Sequence, residues 1–153
     1  MLTSVDRTSQ VDVLTHIRNA SAETGTDFDY LVRTAMRESS LNPEASASTS
    51  SARGLFQFIE QTWLAMVKNH GAEHGLSDYA DAITRKANGR YVVADPAVRE
   101  EILALRTDPA IASVMAAELT AESRNFLEGR LNREVTGAEL YIAHFLGPQG
   151  AAN

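Results

Sequence analysis

Glu38 is the side chain of this sequence best placed to move a proton. Phe28, Leu31, Val32 and Ala35 recur at helical spacing and predict a helix over about 28–39, with that stripe facing inward. At about 100° per residue, Glu38 lies almost directly above Leu31, at one edge of the stripe and near the helix C-terminus. A carboxyl held against apolar surface at the negative end of a helix is the kind of group that general acid catalysis employs. Taken by position alone, the better fit is an ordinary exposed glutamate at a frayed helix end.

Other residues offer chemistry of their own. Gly54-Leu55-Phe56-Gln57 joins a backbone turn to a side-chain amide, and Gln57 is either a ligand contact or a helix-start residue satisfying backbone groups. Glu118 and Glu122 interrupt an apolar stripe of Ile111, Val114 and Met115. Either Glu118 faces a site, where it could hold water, a tyrosine or a substrate, or the helix is rotated and both acids are solvated. Tyr141 and His144 are three apart and share a helix face, so either could hydrogen-bond a catalytic carboxylate or simply pack in the core or rim. His70 and His74 are four apart, a spacing that can hold a metal. Gly71 intervenes and no third ligand is evident, so no metal site is assigned. Trp63 could stack on a sugar ring, although its place on an apolar face favours core packing; Tyr30, Tyr79 and Tyr91 are further platforms.

Three elements in order, Glu38-Ser39, Leu41-Asn42-Pro43 and Ala52-Arg53-Gly54-Leu55-Phe56-Gln57-Phe58, resemble the soluble lytic transglycosylase (SLT) family, related in fold to goose-type lysozyme. That family is marked by Glu-Ser at a helix end, Asn-Pro shortly after, and Gly-Leu-Met/Phe-Gln farther along. The resemblance implies a mainly α, lysozyme-like domain that acts on peptidoglycan glycan strands in the periplasm, with no cofactor. It further implies that Glu38 protonates the oxygen leaving N-acetylmuramic acid. Glu38 then serves as base for the sugar's own 6-hydroxyl, which closes a 1,6-anhydro ring. Because that nucleophile is internal to the substrate, no second carboxylate is required. Ser39, Phe56 and Gln57 would line the substrate site.

The family's third motif, Ala-Tyr-Asn before a Gly-Pro turn, is altered here. In Tyr141-Ile142-Ala143-His144-Phe145-Leu146-Gly147-Pro148 the alanine and Gly-Pro match, but His144 and Phe145 stand where the family has Tyr and Asn. The partner of Glu38 is therefore open among Tyr141, His144 and Glu118. Should Glu118 lie across a groove from Glu38, hydrolysis by water becomes the competing chemistry. A reading of another class is a wall-binding assembly module of a flagellar or secretion apparatus.

The elements that must position these residues are nearly all helical. Helices are predicted over about 10–24, with Gly25 as its stop, over 28–39 capped by Asp27, and over 61–70. Pro96 opens another through about 105, Asp108-Pro109 begins a long one to about 129, and Thr136 with Glu139 forms a capping box for the last. Asn42-Pro43 is expected to break the second helix, and the Ser/Ala-rich stretch after it reads equally as an ordered or a floppy loop. Asn88-Gly89 before Tyr91-Val92-Val93 predicts a small β-hairpin near 85–94. Residues 1–9 read as a flexible tail and 10–153 as a single domain whose C-terminus is cut short.

Bulk properties narrow the partners. A chain of 153 residues, 44% hydrophobic and 22% charged, suits one soluble domain with its own core and is expected to be a monomer. A net charge of −6 gives no global reason to bind nucleic acid or anionic membrane. There are no cysteines, hence no disulfides or thiolate metal site, and no apolar run reaches the ~20 residues of a membrane span. The first residues lack the basic-then-apolar order of a signal peptide, so the route to a periplasmic wall is left open.

Overall fold

The computed structural model describes residues 4–140, with side chains from residue 10 onward. Helix α1 spans Ser4–Thr24 and so reaches back into the stretch read from sequence as a tail. It buries Val13, Ile17 and Ala20 and ends at Gly25, whose φ of 73° provides the expected stop. Helix α2, Phe28–Ser39, begins where the Asp27 carboxylate accepts the Tyr30 amide at 2.8 Å, and it buries Leu31 and Ala35.

Helix α3, Glu60–His70, buries Trp63, Leu64, Met66 and Val67 at the centre of the domain. Trp63 is a core residue: it is fully buried, its indole N–H donates to the Ile102 carbonyl at 2.8 Å, and its ring meets Phe58 edge-on at 4.9 Å. A 3-10 turn, Gly71–His74, and a short helix α4, Ser77–Ala82, follow. The hairpin then forms from β1, Ile83–Arg85, and β2, Tyr91–Val93, antiparallel, with Ile83 opposite Val93 and Arg85 opposite Tyr91. Gly89 takes φ 87° in its turn, and the Asn88 side chain accepts the Arg90 amide at 3.0 Å.

Both proline-started helices have the expected caps. Asp95 accepts the Ala97 amide at the head of α5, Pro96–Ala104. Asp108 accepts the Ala110 and Ile111 amides at the head of α6, Pro109–Leu131. Helix α6 is the spine of the domain. It packs along α1 and also meets α2 and α3, and its Ala112, Met115 and Ala117 are buried in the main core. A second, smaller core of Leu127, Val135 and Leu140 receives Tyr30 and Leu131. At Thr136 and Glu139 the capping box is formed reciprocally: the Thr136 amide donates to the Glu139 carboxylate at 3.0 Å and the Glu139 amide to the Thr136 hydroxyl at 3.2 Å. The fold is thus mainly helical with one small antiparallel hairpin, and no helix among the described residues is long and apolar enough to cross a membrane.

Candidate functional site

The helix that carries Glu38 stops by a backbone device. Ser40 sits in the left-handed region at φ 54° and returns its amide to Met36 at 2.9 Å, and Leu41 follows at φ 64°. Left-handed backbone costs a residue with a Cβ roughly 1–2 kcal/mol, so two in a row mark a place the surrounding structure over-determines. The stop comes before Asn42-Pro43, which sequence reading made the breaker. The Asn42 side chain instead accepts the Glu44 amide at 3.0 Å and starts the loop.

That Ser/Ala-rich loop is ordered. Arg53 pairs with Ser46 on one side and with Phe58 on the other, and the Gly54 amide donates to the Ala45 carbonyl at 2.7 Å. Gly54 has no substitute here. Its φ is +86°, and a Cβ at this position would stand 2.0 Å from the Arg106 carbonyl oxygen and 2.9 Å from its carbon. Arg106 in turn is 7% exposed. Its guanidinium donates to the Ser51, Phe58 and Leu103 carbonyls at 2.6, 3.0 and 2.9 Å. Burial lowers the Arg106 guanidinium from its ordinary value, with the nearby Glu60 charge opposing. No sequence signal announced this role, because an arginine at a helix end reads as surface charge.

Ser39 joins the two halves of the site. Its hydroxyl lies 2.7 Å from the Leu55 carbonyl and 3.1 Å from the Ala35 carbonyl, which ties the last turn of α2 to the Gly54–Gln57 turn. Gln57, itself at φ 54°, spends its side-chain amide nitrogen on two backbone carbonyls, Ala45 at 3.1 Å and Gly54 at 3.0 Å. Three of the four non-glycine residues with positive φ among those described, Ser40, Leu41 and Gln57, flank this junction.

Beside it opens a pocket of about 480 Å³. Tyr30, Leu31 and Thr34 of α2 form one wall, Phe56, Gln57 and Ile59 the floor, and Leu119, Thr120 and Ser123 of α6 the opposite wall. Burial pushes the Tyr30 phenol up, so this wall offers a protonated hydroxyl. Glu38 does not line the pocket itself. It stands one helical turn beyond Thr34 on the same face of α2, with a side chain 24% exposed and the Arg37 guanidinium 4.0 Å away. The structure thus ties Ser39, next to Glu38 in the chain, to Leu55, next to Phe56 and Gln57.

It does not bring Glu118 there. The α6 positions on the pocket are Ala116, Leu119, Thr120 and Ser123, and at about 100° per residue Glu118 falls on the opposite side of the helix from Thr120. Its carboxylate is taken up by His74 Nε2 at 3.1 Å and His70 Nδ1 at 3.3 Å. Nor is Glu118 solvated, the other reading of that acidic pair: its side chain is 14% exposed, against 47% for Glu122. Of the remaining platforms, Tyr79 donates to Glu101 at 3.2 Å and Tyr91 pairs its backbone with the Gln61 amide, both away from the pocket. Tyr141 and His144 lie outside the described residues.

Compared with known families, residues 15–87 match the transglycosylase SLT domain. The match holds Glu38-Ser39, Asn42-Pro43 and Gly54-Leu55-Phe56-Gln57, whereas α6 and the 141–148 stretch fall beyond it.

Proposed function

From that domain match we propose that the protein cleaves the bond between N-acetylmuramic acid and N-acetylglucosamine in peptidoglycan, with Glu38 as the single acid and base. The observation that carries this reading is the Ser39 clasp, which fixes the helix turn bearing Glu38 to the Gly54–Gln57 turn beside a largely apolar pocket.

The Glu38 carboxyl gives its proton to the glycosidic oxygen as the C1–O bond breaks, and N-acetylglucosamine leaves with a free hydroxyl. The resulting carboxylate takes the proton of the muramic 6-hydroxyl as that oxygen bonds to C1. This closes the anhydro ring, restores the acid and consumes no water. Electrophilic character at C1 is met by the carboxylate itself, and the Gln57 amide oxygen and Tyr30 hydroxyl hold the sugars in register. With Glu118 on the far side of α6, no carboxylate from that helix stands ready to activate water, which supports the internal nucleophile over hydrolysis. Such chemistry places the protein's work in the periplasm, where the glycan strands lie.

Digestion of purified sacculi, with mass analysis of the products before and after borohydride, tests the reading. Anhydro ends whose mass borohydride does not shift are expected, and Glu38→Gln should lower the rate by about 10²–10⁴-fold. Reducible ends would assign hydrolysis instead. Undiminished cleavage by Glu38→Gln would remove Glu38 from the chemistry, and wall binding without turnover by the intact chain would make it an assembly module.

A further inference from the structure

The geometry points to a second site, a divalent-cation site of the zinc type built from His70, Glu73 and Glu118, on the side of α6 turned away from the pocket. One ligating atom from each of these residues lies within 4.8 Å of the others. They arrive from three elements, α3, the 3-10 turn after it and α6.

The arrangement around the His70 ring is what a cation requires. Glu122 holds Nε2 in a short contact, which places the N–H of the ring on that side. Nδ1 is then a lone pair, and it faces the Glu118 Oε2 at 3.3 Å. Either a second ring proton or a metal cation fills the gap between that nitrogen and the carboxylate. A separation of 3.3 Å is also close to that of two neighbouring donors about a tetrahedral ion with bonds of about 2.0–2.2 Å. Glu73, exposed at the rim, is free to swing its carboxylate onto the same ion. An imidazole with two carboxylates matches the mixed nitrogen and oxygen set that suits zinc, where calcium or magnesium would demand oxygen alone.

An outer shell is already in place. His74 holds the Glu118 carboxylate at 3.1 Å through Nε2 and is itself held by Glu23 of α1 at 3.1 Å through Nδ1. Glu122 does the same for His70. His70 and Glu118 are 20% and 14% exposed at the side chain, so the ion would be shielded while its open position faces the rim. A cation here would pin α3 and the 3-10 turn onto α6, whose other face forms the pocket wall. That makes the site a structural clamp on the groove and independent of the chemistry proposed for Glu38.

Calorimetric titration of zinc chloride into the tag-free, chelator-treated protein at neutral pH decides the matter, with thermal unfolding in parallel. One equivalent should bind and raise the melting temperature by ligand linkage. Glu118→Gln and Glu73→Gln should each weaken binding about tenfold or more, and Glu122→Gln about 10–100-fold as an outer-shell change. Glu73 is exposed, so its variant keeps the fold and decides the question even if a change at Glu118 or His70 costs folding. Absence of binding overturns the proposal and leaves a proton as the charge between Nδ1 and Glu118. Binding that Glu73→Gln and Glu118→Gln both leave unchanged overturns it as well, as does a preference for calcium.

Discussion

Around Glu38 the chain is held by donors that reach backbone carbonyls: Ser39 on Leu55, Gln57 on Ala45 and Gly54, and Arg106 on Ser51, Phe58 and Leu103. Behind α6, by contrast, side chain meets side chain, with His70 and His74 set among Glu23, Glu118 and Glu122. The first region fixes a path of backbone and tolerates almost no change of shape. The second fixes helices that would already pack, through imidazole and carboxylate side chains. Loop geometry with two left-handed residues in succession has no regular ladder to hold it, so it needs donors aimed at particular carbonyls. Helices have satisfied their own backbone and leave only side chains to be joined.

Substitutions in the carbonyl-held region should therefore act through shape. The largest effect is expected from Gly54→Ala, whose methyl would fall 2.0 Å from the Arg106 carbonyl oxygen at a φ of +86°. A loss of about 3 kcal/mol or more in denaturant unfolding is expected, together with loss of turnover. A variant within about 0.5 kcal/mol of the parent would show that the loop and Arg106 separate readily. Arg106→Met removes the donor from three carbonyls but keeps much of the apolar stem. It should cost about 2–4 kcal/mol, with faster amide exchange over residues 45–58 than over α3. Uniform acceleration across the chain would instead make Arg106 a general core residue.

Ser39→Ala should cost only about 1 kcal/mol of stability, since one hydrogen bond is lost from a half-buried hydroxyl. Turnover on sacculi should fall further than that figure allows, because the clasp sets where the Glu38 turn stands relative to Gln57. Stability and rate falling in proportion would deny it a positioning role.

The smallest effect lies outside both regions. Glu139, paired with Arg133 and bonded to the Thr136 amide, has its carboxyl held down to about 2 from an ordinary 4.5. A carboxyl depressed in the folded state contributes stability above its unfolded value and loses it as pH falls through the folded one. The capping box should therefore weaken only as pH drops from about 4.5 to about 2, read as amide exchange at residues 136–140. Weakening already at neutral pH would place its control elsewhere.

Local grammar made most of the helical frame legible. Asp27, Asp95 with Pro96, Asp108 with Pro109, and the Thr136–Glu139 box all act within one turn of their own residue, so the reading needs only neighbours. The hairpin was legible for the same reason, although it begins at Ile83, slightly before the expected stretch. The Glu38, Asn42-Pro43 and Gly54–Gln57 elements were visible as an ordered pattern, and the match over residues 15–87 covers all three.

What the sequence by itself determined, then, is most of the helices and the stretch that carries Glu38 and Gln57. Tertiary structure decided the rest, because those decisions join residues far apart in the chain. Arg106 reaches Ser51 across 55 positions, and His70 reaches Glu122 across 52. Whether Glu118 faced the pocket or the histidines depended on the rotation of α6. Packing of Ala112, Met115 and Ala117 into the core set that rotation, and two acids within an apolar stripe could not. Periodicity names the faces of a helix, but only its neighbours in space settle which face meets which partner.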